Sequence, residues 1–448
     1  MRTRSILASL LVLLLWSSLS QAITPETFNQ LMGRALRGET DAQYALATKY
    51  ALGEGVEKNL TEALKWYTKA AEKGDTKALN KLAIIYYYGQ FVPQDKAAAR
   101  EWYRRSAELG NADAQSALAR MLLKGEGGDK NPIEAFDWYK KAAEAGDTDA
   151  QYALARMYYL GEGTIKDEKA AFNWYQEASD SGNVNAQYAL AKRYLSGDGV
   201  QTDPAVALRW FLKAAEQGHP DAQYSAAKLL QKGLGTEKDP KAASLWYEKA
   251  ALQGHADAQY NLARLLYKGE GVKKNHSEAL KWYGKAAEQG DTEALYNTAK
   301  MLYYGLGTEK NEKEAFDIFT RCANQGNAEA RYHLGKIYYR GAKDIKRDFA
   351  MARTWFMSAA ASGSKDALYY LGRMEYRGEG EKRDTLSAFV WLSLARERGA
   401  EEGKKELAIL TKTLTAKQKE QAQELTTQYR EKYVTPFTVE KQTDPDKS

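Results

Sequence analysis

The sequence predicts an all-α solenoid built from about ten copies of a 36-residue helix-turn-helix unit. Three observations predict this fold class: an alanine that returns every 36 residues, a tryptophan that returns with the same period, and glycines that end the predicted helices. A single helix pair of this size cannot bury its own apolar stripe, so neighbouring pairs have to stack against one another.

The reference alanine numbers the repeats from one to ten. It first occurs in the phrase Asp41-Ala42-Gln43-Tyr44. The equivalent alanines are Ala78, Ala114, Ala150, Ala186, Ala222, Ala258, Ala294, Ala330 and, after one extra residue, Ala367. The tryptophan slot independently holds Trp66, Trp102, Trp138, Trp174, Trp210, Trp246, Trp282, Ile318, Trp355 and Trp391. Nine of the ten tryptophans therefore belong to the repeat.

Each repeat divides into a first helix and a second helix, named the A helix and the B helix below. In repeat four the A helix covers residues 152–159 and stops at Gly161-Glu162-Gly163, since glycine adopts the left-handed conformation that ends helices. The B helix runs from Glu168 to about Ser181. Its apolar stripe is Ala171, Trp174, Tyr175 and Ala178, at the i, i+3, i+4, i+7 spacing of one buried face.

The first 22 residues predict a signal peptide. Arg2 and Arg4 precede an apolar run from Ile6 to Trp16, and small residues at Ser20 and Ala22 favour cleavage before Ile23. The run is about 11 residues, too short for the roughly 20 that span a bilayer. An uncleaved anchor is the alternative. We therefore expect an exported protein, periplasmic or secreted, with no stable membrane insertion.

Capping elements are expected at both ends of the array. The predicted organisation is a signal peptide at 1–22, an N-terminal capping helix at 23–40, the repeats at 41–400, C-terminal capping helices at 401–434 and a flexible tail at 435–448. Thr415-Ala416-Lys417-Gln418 has the form of a capping box that opens the last helix.

The repeated phrase A-Q-Y-x-L-A, Y-x-x-G-x-G, A-x-x-W-Y-x-x-A-A-x-x-G resembles the Sel1-like repeat, a relative of the tetratricopeptide repeat. The resemblance covers about residues 41–400. It implies a right-handed superhelix of helix pairs that binds proteins or peptides, often in exported bacterial proteins. The C-terminal Gln428-Tyr429-Arg430-Glu431-Lys432-Tyr433 is similar to the end of an enterobacterial secreted Sel1 protein that binds immunoglobulin A. Repeats two and nine depart from the Gly-x-Gly pattern, with Gly89-Gln90-Phe91 and Gly341-Ala342-Lys343.

Catalytic, metal-binding and cofactor-binding patterns are missing from the sequence. No His-Glu-x-x-His, Cys pair or Gly-x-Ser-x-Gly occurs, so we expect no enzyme, no metal and no cofactor. The Gly-x-Gly turns follow helices and often contain an acid, which is unlike phosphate-binding loops. His219 and His255 are expected to be surface turn residues, and Cys322 is expected to be a buried small residue.

A recurring Tyr–basic–Tyr pattern on the A helices is the candidate ligand surface, named the A-helix band below. Its three slots lie two, six and nine residues after the reference alanine. They fall opposite the apolar stripe of the A helix, which contains Leu154 and Met157 in repeat four, so we expect them to face solvent or a groove. The basic slot holds Arg120, Arg156, Lys192, Lys228, Arg264, Lys300, Lys336 and Arg373. The first tyrosine slot holds Tyr44, Tyr152, Tyr188, Tyr224, Tyr260, Tyr296, Tyr332 and Tyr369. The second holds Tyr87, Tyr159, Tyr267, Tyr303, Tyr339 and Tyr376.

The composition and the residues of the A-helix band favour a binding function. Lys plus Arg number 65 against 59 Asp plus Glu, a net charge of +6 that is too small to indicate nucleic-acid binding. Tyrosine and arginine are over-represented at binding hot spots, and cations favour an acidic peptide or anionic glycan. We expect a non-enzymatic adaptor for a protein or peptide. The alternative is that the tyrosines of the first slot pack between neighbouring repeats and that the cations are merely solvated.

Two other functions stay open from the sequence. One is a secreted factor that binds a host protein such as an immunoglobulin. The other is an enzyme of cell-wall or β-lactam chemistry, disfavoured because no catalytic group lies outside the repeats. The sequons Asn59-Leu60-Thr61 and Asn275-His276-Ser277 also leave a eukaryotic endoplasmic-reticulum relative open. The sequence does not indicate the oligomeric state.

Overall fold

The computed structural model describes residues 27–434. The predicted signal peptide at 1–22 and the tail at 435–448 lie outside the described residues. The chain divides into two compact units, Met1–Gln217 and Gly218–Ser448. The boundary falls in the turn after the B helix of repeat five.

The described part of the first unit contains one lone helix and five helix pairs. From α2 to α21, even-numbered helices are A helices and odd-numbered helices are B helices. The bounds are α1 (Phe28–Leu36), α2 (Thr40–Leu52), α3 (Leu60–Glu72), α4 (Thr76–Tyr88), α5 (Lys96–Glu108), α6 (Ala112–Lys124), α7 (Pro132–Glu144), α8 (Thr148–Leu160), α9 (Glu168–Asp180), α10 (Val184–Ser196) and α11 (Pro204–Glu216).

The second unit continues the same alternation through five further pairs and ends in two helices, α22 and α23. The bounds are α12 (Pro220–Lys232), α13 (Pro240–Leu252), α14 (Ala256–Lys268), α15 (His276–Glu288), α16 (Thr292–Tyr304), α17 (Glu312–Asn324), α18 (Ala328–Arg340), α19 (Phe349–Ala360), α20 (Lys365–Arg377), α21 (Thr385–Glu397), α22 (Lys404–Thr413) and α23 (Ala416–Tyr433). Between residues 27 and 434 the chain forms no strand, only one isolated bridge. The predicted all-α repeat fold is confirmed.

Short polar side chains begin the helices and glycines end the A helices. In repeat four Asp147 accepts hydrogen bonds from the backbone at the start of α8, and Asp167 does so for α9, which satisfies amides that have no partner within the helix. Gly161 ends α8 in the left-handed conformation. The asparagines of both sequons, Asn59 and Asn275, are N-caps of B helices, so the fold itself accounts for them.

The second glycine of several Gly-x-Gly turns has a function that the sequence did not reveal. Gly163 has a φ of +72°, and a Cβ at this position would overlap the carbonyl oxygen of Pro132 in the preceding repeat. Gly127 and Gly199 lie against Lys96 and Glu168 in the same way. The glycine is therefore required by the close approach of neighbouring repeats as well as by the turn.

The core consists of small alanines at helix crossings and large aromatics between them. In α9, Ala171, Tyr175 and Ala178 are buried as predicted. Trp174 is only partly buried, which differs from the prediction. Burying a large aromatic stabilises a fold by about 1.5–3 kcal/mol, and each unit repeats this contribution along its stack.

Repeat nine and the chain ends depart from the regular unit. Gly341 ends α18 with an extended ψ of 160° instead of the left-handed turn, and the loop closes through a bridge between Ala342 and Ile345. The predicted capping box is present at Thr415, the N-cap of α23. Tyr433 of that helix packs on Trp391 with ring centroids 5.2 Å apart. Among residues 27–434, no helix combines the length and the apolar character needed to cross a membrane.

Candidate functional site

The basic slot of the A-helix band is exposed in the middle of the array. Arg120, Arg156 and Lys192 of the first unit are exposed, as is Lys228 of the second. Within residues 27–434, none of these four has a carboxylate at ion-pair distance. They are therefore available cations at one recurring helix position.

The remaining basic positions, all in the second unit, are less accessible. Arg264, Lys300 and Arg373 are half-buried. Lys336 is buried, with 8% of its surface exposed, and its Nζ lies 3.3 Å from the Tyr304 hydroxyl. Burial lowers the pKa of Lys336. The expectation that the whole basic slot faces solvent is thus wrong at Lys336.

A glycine in α18 explains why this region is closely packed. Gly335 stands where the preceding repeats have alanine, and a Cβ there would come within 2.6 Å of the Phe356 ring. The glycine lets α19 approach α18 closely, which buries the neighbouring side chains. The sequence contained this signal, because repeats one to eight all place Ala at that slot and only repeats nine and ten, with Gly335 and Gly372, do not.

Tyrosines of the first slot pack against the B helix of their own repeat. Tyr152 lies 5.9 Å from Tyr175 between ring centroids, and Tyr188 lies 5.7 Å from Phe211. Tyr260 makes the same contact with Tyr283 at 5.6 Å. The outer face of the ring meets the basic side chain one turn later. Arg156 lies 6.0 Å from the Tyr152 centroid and Lys192 lies 5.7 Å from that of Tyr188.

Three tyrosines of the second slot, Tyr87, Tyr159 and Tyr339, connect successive repeats. The Tyr87 hydroxyl donates to Glu126 at 2.8 Å, and Tyr159 reaches Asp198 at 3.4 Å; both acids lie in the Gly-x-Gly turn of the next repeat. Tyr339 reaches Glu379 in the same way. Tyr267 and Tyr376 are half-buried, whereas Tyr303 and Tyr339 are buried. The expectation of solvent exposure is therefore wrong for Tyr303 and Tyr339.

An arginine that the sequence analysis missed holds Tyr159 in place. Arg193 occupies the slot that is Met157 in the preceding repeat, and its guanidinium lies 3.7 Å from the Tyr159 centroid and 3.7 Å from the Asp198 carboxylate. Arg193 is buried despite its charge. The slot is apolar in every repeat except one and five, which hold Lys49 and Arg193, and this departure was the available signal.

The histidines and the cysteine have structural environments. His219 and His255 are N-caps whose Nδ1 atoms accept from the backbone amides of Ala222 and Ala258 at 3.3 Å. The turn placement is thus correct, and capping is an additional function. His333 is buried and stacks on Phe319 at 4.7 Å, and burial lowers its pKa to about 3. Cys322 is buried as predicted, and burial raises its pKa to about 11.

A second row of cations, on the B helices, was also missed. A lysine or arginine three residues after the tryptophan lies over the indole ring in six repeats, at 3.9–4.9 Å from the ring. Such contacts contribute roughly 0.5–1 kcal/mol each at exposed positions. The i, i+3 spacing of Trp and Lys in the sequence was a sufficient signal. No group of three or more His, Cys, Asp or Glu side chains in the described part of the chain could hold a metal ion.

Ten consecutive segments of the chain match the Sel1 repeat family model. They are residues 40–75, 76–111, 112–147, 148–183, 184–219, 220–255, 256–291, 292–327, 328–364 and 365–399. A protective antigen present in uropathogenic Escherichia coli strains, which displays an SLR fold, is 37% identical with a TM-score of 0.73, over 90% of this chain and 87% of that one. A Sel1 repeat protein from Oxalobacter formigenes is 28% identical with a TM-score of 0.57, over 70% of this chain and 92% of that one. No curated protein matches the chain.

Proposed function

Because the chain belongs to the Sel1 repeat family, whose repeats generally mediate protein–protein interaction, we propose that it is an exported, non-enzymatic scaffold that binds a protein or peptide partner. The partner contacts the A-helix band and presents acidic side chains to it. The fold by itself does not select a partner, so the proposal depends on the chemistry of the exposed residues.

The observation that carries the proposal is the recurrence of exposed, unpaired cations at Arg120, Arg156 and Lys192 within one unit. Each lies at the same slot of successive A helices. The tyrosine beneath Arg156 and Lys192 limits the conformations of the cationic side chain, which lowers the entropy lost when a ligand binds. Carboxylates of an extended acidic segment are the complementary groups. In tetratricopeptide-like solenoids the first helices line the ligand groove, and this analogy favours the same face.

Export is the second part of the proposal. The basic and apolar start of residues 1–22 has the pattern of a secretory signal. The Escherichia coli relative is described as a protective antigen, and we take that description as support for a protein that leaves the cytoplasm. The same description favours a second candidate function, in which the partner is a host protein.

The absence of catalysis is the third part. The best candidate nucleophile, Cys322, has a raised pKa and is buried, so it is protonated at neutral pH. His219 and His255 hold helix ends. We therefore disfavour the cell-wall or β-lactam hydrolase.

An affinity capture with three baits tests the proposal. The first bait is the chain without residues 1–22. The second carries Arg120→Glu, Arg156→Glu and Lys192→Glu. The third, a matched control, carries three charge reversals at exposed B-helix residues of the same unit: Lys140→Glu, Lys169→Glu and Arg209→Glu. Each bait is exposed separately to bacterial envelope extract and to host secretions.

The two variants have the same net charge, so a general loss of positive charge affects both equally. We expect the partner to be retained by the wild type and by the control, and to be lost by the A-helix variant. A partner retained equally by all three baits would contradict the A-helix site. Fractionation of cells into cytoplasm, periplasm and medium tests export, and a cytoplasmic location would contradict that part.

A further inference from the structure

Repeat four lacks the cation that covers the B-helix tryptophan in its neighbours. The pairs in the first unit are Lys69 over Trp66, Arg105 over Trp102, Lys141 over Trp138 and Lys213 over Trp210, at 4.1, 4.9, 4.0 and 4.0 Å. In repeat four the equivalent of these cations is Glu177. No cation of residues 27–434 lies over the ring of Trp174, which is partly exposed.

A cavity of about 360 Å³ opens beside this uncovered ring. Its walls include Glu144 at the end of α7, Gln151 of α8, and Asn173, Trp174 and Glu177 of α9. The volume lies within the range of ordinary small-ligand pockets, about 300–1,000 Å³. All of these residues belong to the first unit.

Gln151 adds an unsatisfied acceptor to the wall. The residue is 4% exposed, its Nε2 donates to the Ala143 carbonyl at 3.3 Å, and its Oε1 has no hydrogen-bond partner. The matching oxygen of Gln187 in repeat five accepts from Gln217 at 2.8 Å. Ser181 occupies the position of Gln217 in repeat four and is too short to reach. A buried acceptor without a partner costs about 1–3 kcal/mol, so a donor is favoured here.

The electrostatics of the cavity select a cation. Glu144 and Glu177 supply two carboxylates, and neither a lysine nor an arginine lines the walls. The C-terminal end of α7 contributes the negative end of a helix dipole. The Trp174 ring offers its π face, on which a planar guanidinium stacks well while donating to a carboxylate.

We propose that this cavity, named the Trp174 site, binds an arginine side chain of a partner protein. The guanidinium occupies the place over Trp174 that the chain's own lysine or arginine occupies over other B-helix tryptophans. The ligand chemistry is opposite to that of the A-helix band, so the two sites would contact different parts of a partner.

Binding is tested with a defined probe, N-acetyl-arginine amide, and with N-acetyl-citrulline amide, which has a similar shape and no charge. The protein carries ¹⁵N in its tryptophan indoles, and the Trp174 signal is identified by its disappearance in Trp174→Phe. We expect the arginine probe to shift the Trp174 signal saturably in the millimolar range. The citrulline probe should shift it at least tenfold less at equal concentration.

Two variants change the residue three positions after the tryptophan: one gives repeat four the lysine of its neighbours, and the other gives repeat three the glutamate of repeat four. Glu177→Lys installs the residue that other repeats use, so the fold is preserved and the new lysine covers the ring; the arginine-induced shift should fall at least tenfold. Lys141→Glu uncovers Trp138 in repeat three, where Glu108 matches Glu144 and the Oε1 of Gln115 also has no partner. We expect a second responding indole signal in this variant.

The proposal is overturned if the arginine probe leaves the Trp174 signal in place, if citrulline shifts it equally, or if Glu177→Lys binds as the wild type does. The A-helix variant of the capture experiment leaves this cavity unchanged. Failure of the Trp174 site and failure of the A-helix site can therefore be told apart.

Discussion

The contact between neighbouring repeats at Gly163 gives the sharpest stability prediction. Gly163→Ala places a methyl group against the Pro132 carbonyl at a backbone φ of +72°. The left-handed conformation costs about 1–2 kcal/mol for a residue with a Cβ. Relieving the overlap with the preceding repeat costs roughly a further 1–3 kcal/mol. We expect the free energy of unfolding to fall by about 2–5 kcal/mol in total, from the sum of these two costs.

Gly182→Ala is the matched control for this prediction. Gly182 has a φ of +91° and no heavy atom within 4 Å of the added Cβ, so the substitution incurs only the conformational cost. Both variants are compared with the wild type by urea unfolding followed with far-UV circular dichroism. The difference between the variants measures the contact between repeats. Equal destabilisation of the two, within about 0.5 kcal/mol, would refute the proposed requirement for glycine at close approach, since that contact should add at least about 1 kcal/mol.

Three further predictions follow from buried groups and from the binding proposal. Cys322 should react with a thiol reagent at pH 8 only after unfolding, because burial raises its pKa to about 11; fast reaction of the folded protein would contradict this. The pKa of His333 is lowered from 6.5 to about 3, so only the unfolded chain takes up a proton between these pH values. The free energy of unfolding should therefore decrease as the pH is lowered, by up to about 1.4 kcal/mol per pH unit. His333→Leu should flatten that slope, measured by urea unfolding from pH 7 to 4, and an unchanged slope would contradict the assignment. The purified protein should hydrolyse neither nitrocefin nor peptidoglycan above the buffer rate. Hydrolysis that copurifies with the protein would support the hydrolase function and contradict this prediction.

Much of the fold was predictable because the helix signals are local and repeated. The stop of α8 at Gly161 follows from the preference of glycine for the left-handed conformation, and ten copies in phase identify the stacking. The second glycine was predicted only as part of a turn. Its contact with Pro132 involves residues of another repeat, and no local preference reports such a contact.

The sequence predicts correctly which helix positions form the A-helix band, but it predicts their solvent exposure only in part. Helical spacing places Arg156 and Lys192 correctly on an accessible face. The same spacing predicts exposure for Lys336 and Tyr339, and both are buried. Their burial depends on how closely α18 and α19 approach each other, which the spacing does not report. The Trp174 site depends on Glu177, which leaves the ring uncovered, and on Ser181, which leaves the Oε1 atom of Gln151 without a partner. Only the structure brings these residues together.

The central claim, an acidic ligand at the A-helix band, is tested most directly by the affinity for a defined acidic probe. A fluorescent peptide of twenty residues rich in glutamate is titrated with the wild type, with the Arg120, Arg156 and Lys192 charge-reversal variant, and with the Lys140, Lys169 and Arg209 control. We predict that the A-helix variant binds at least tenfold more weakly than the control, and that added salt narrows the difference. Equal weakening of both variants would contradict the claim, because binding would then follow net charge alone.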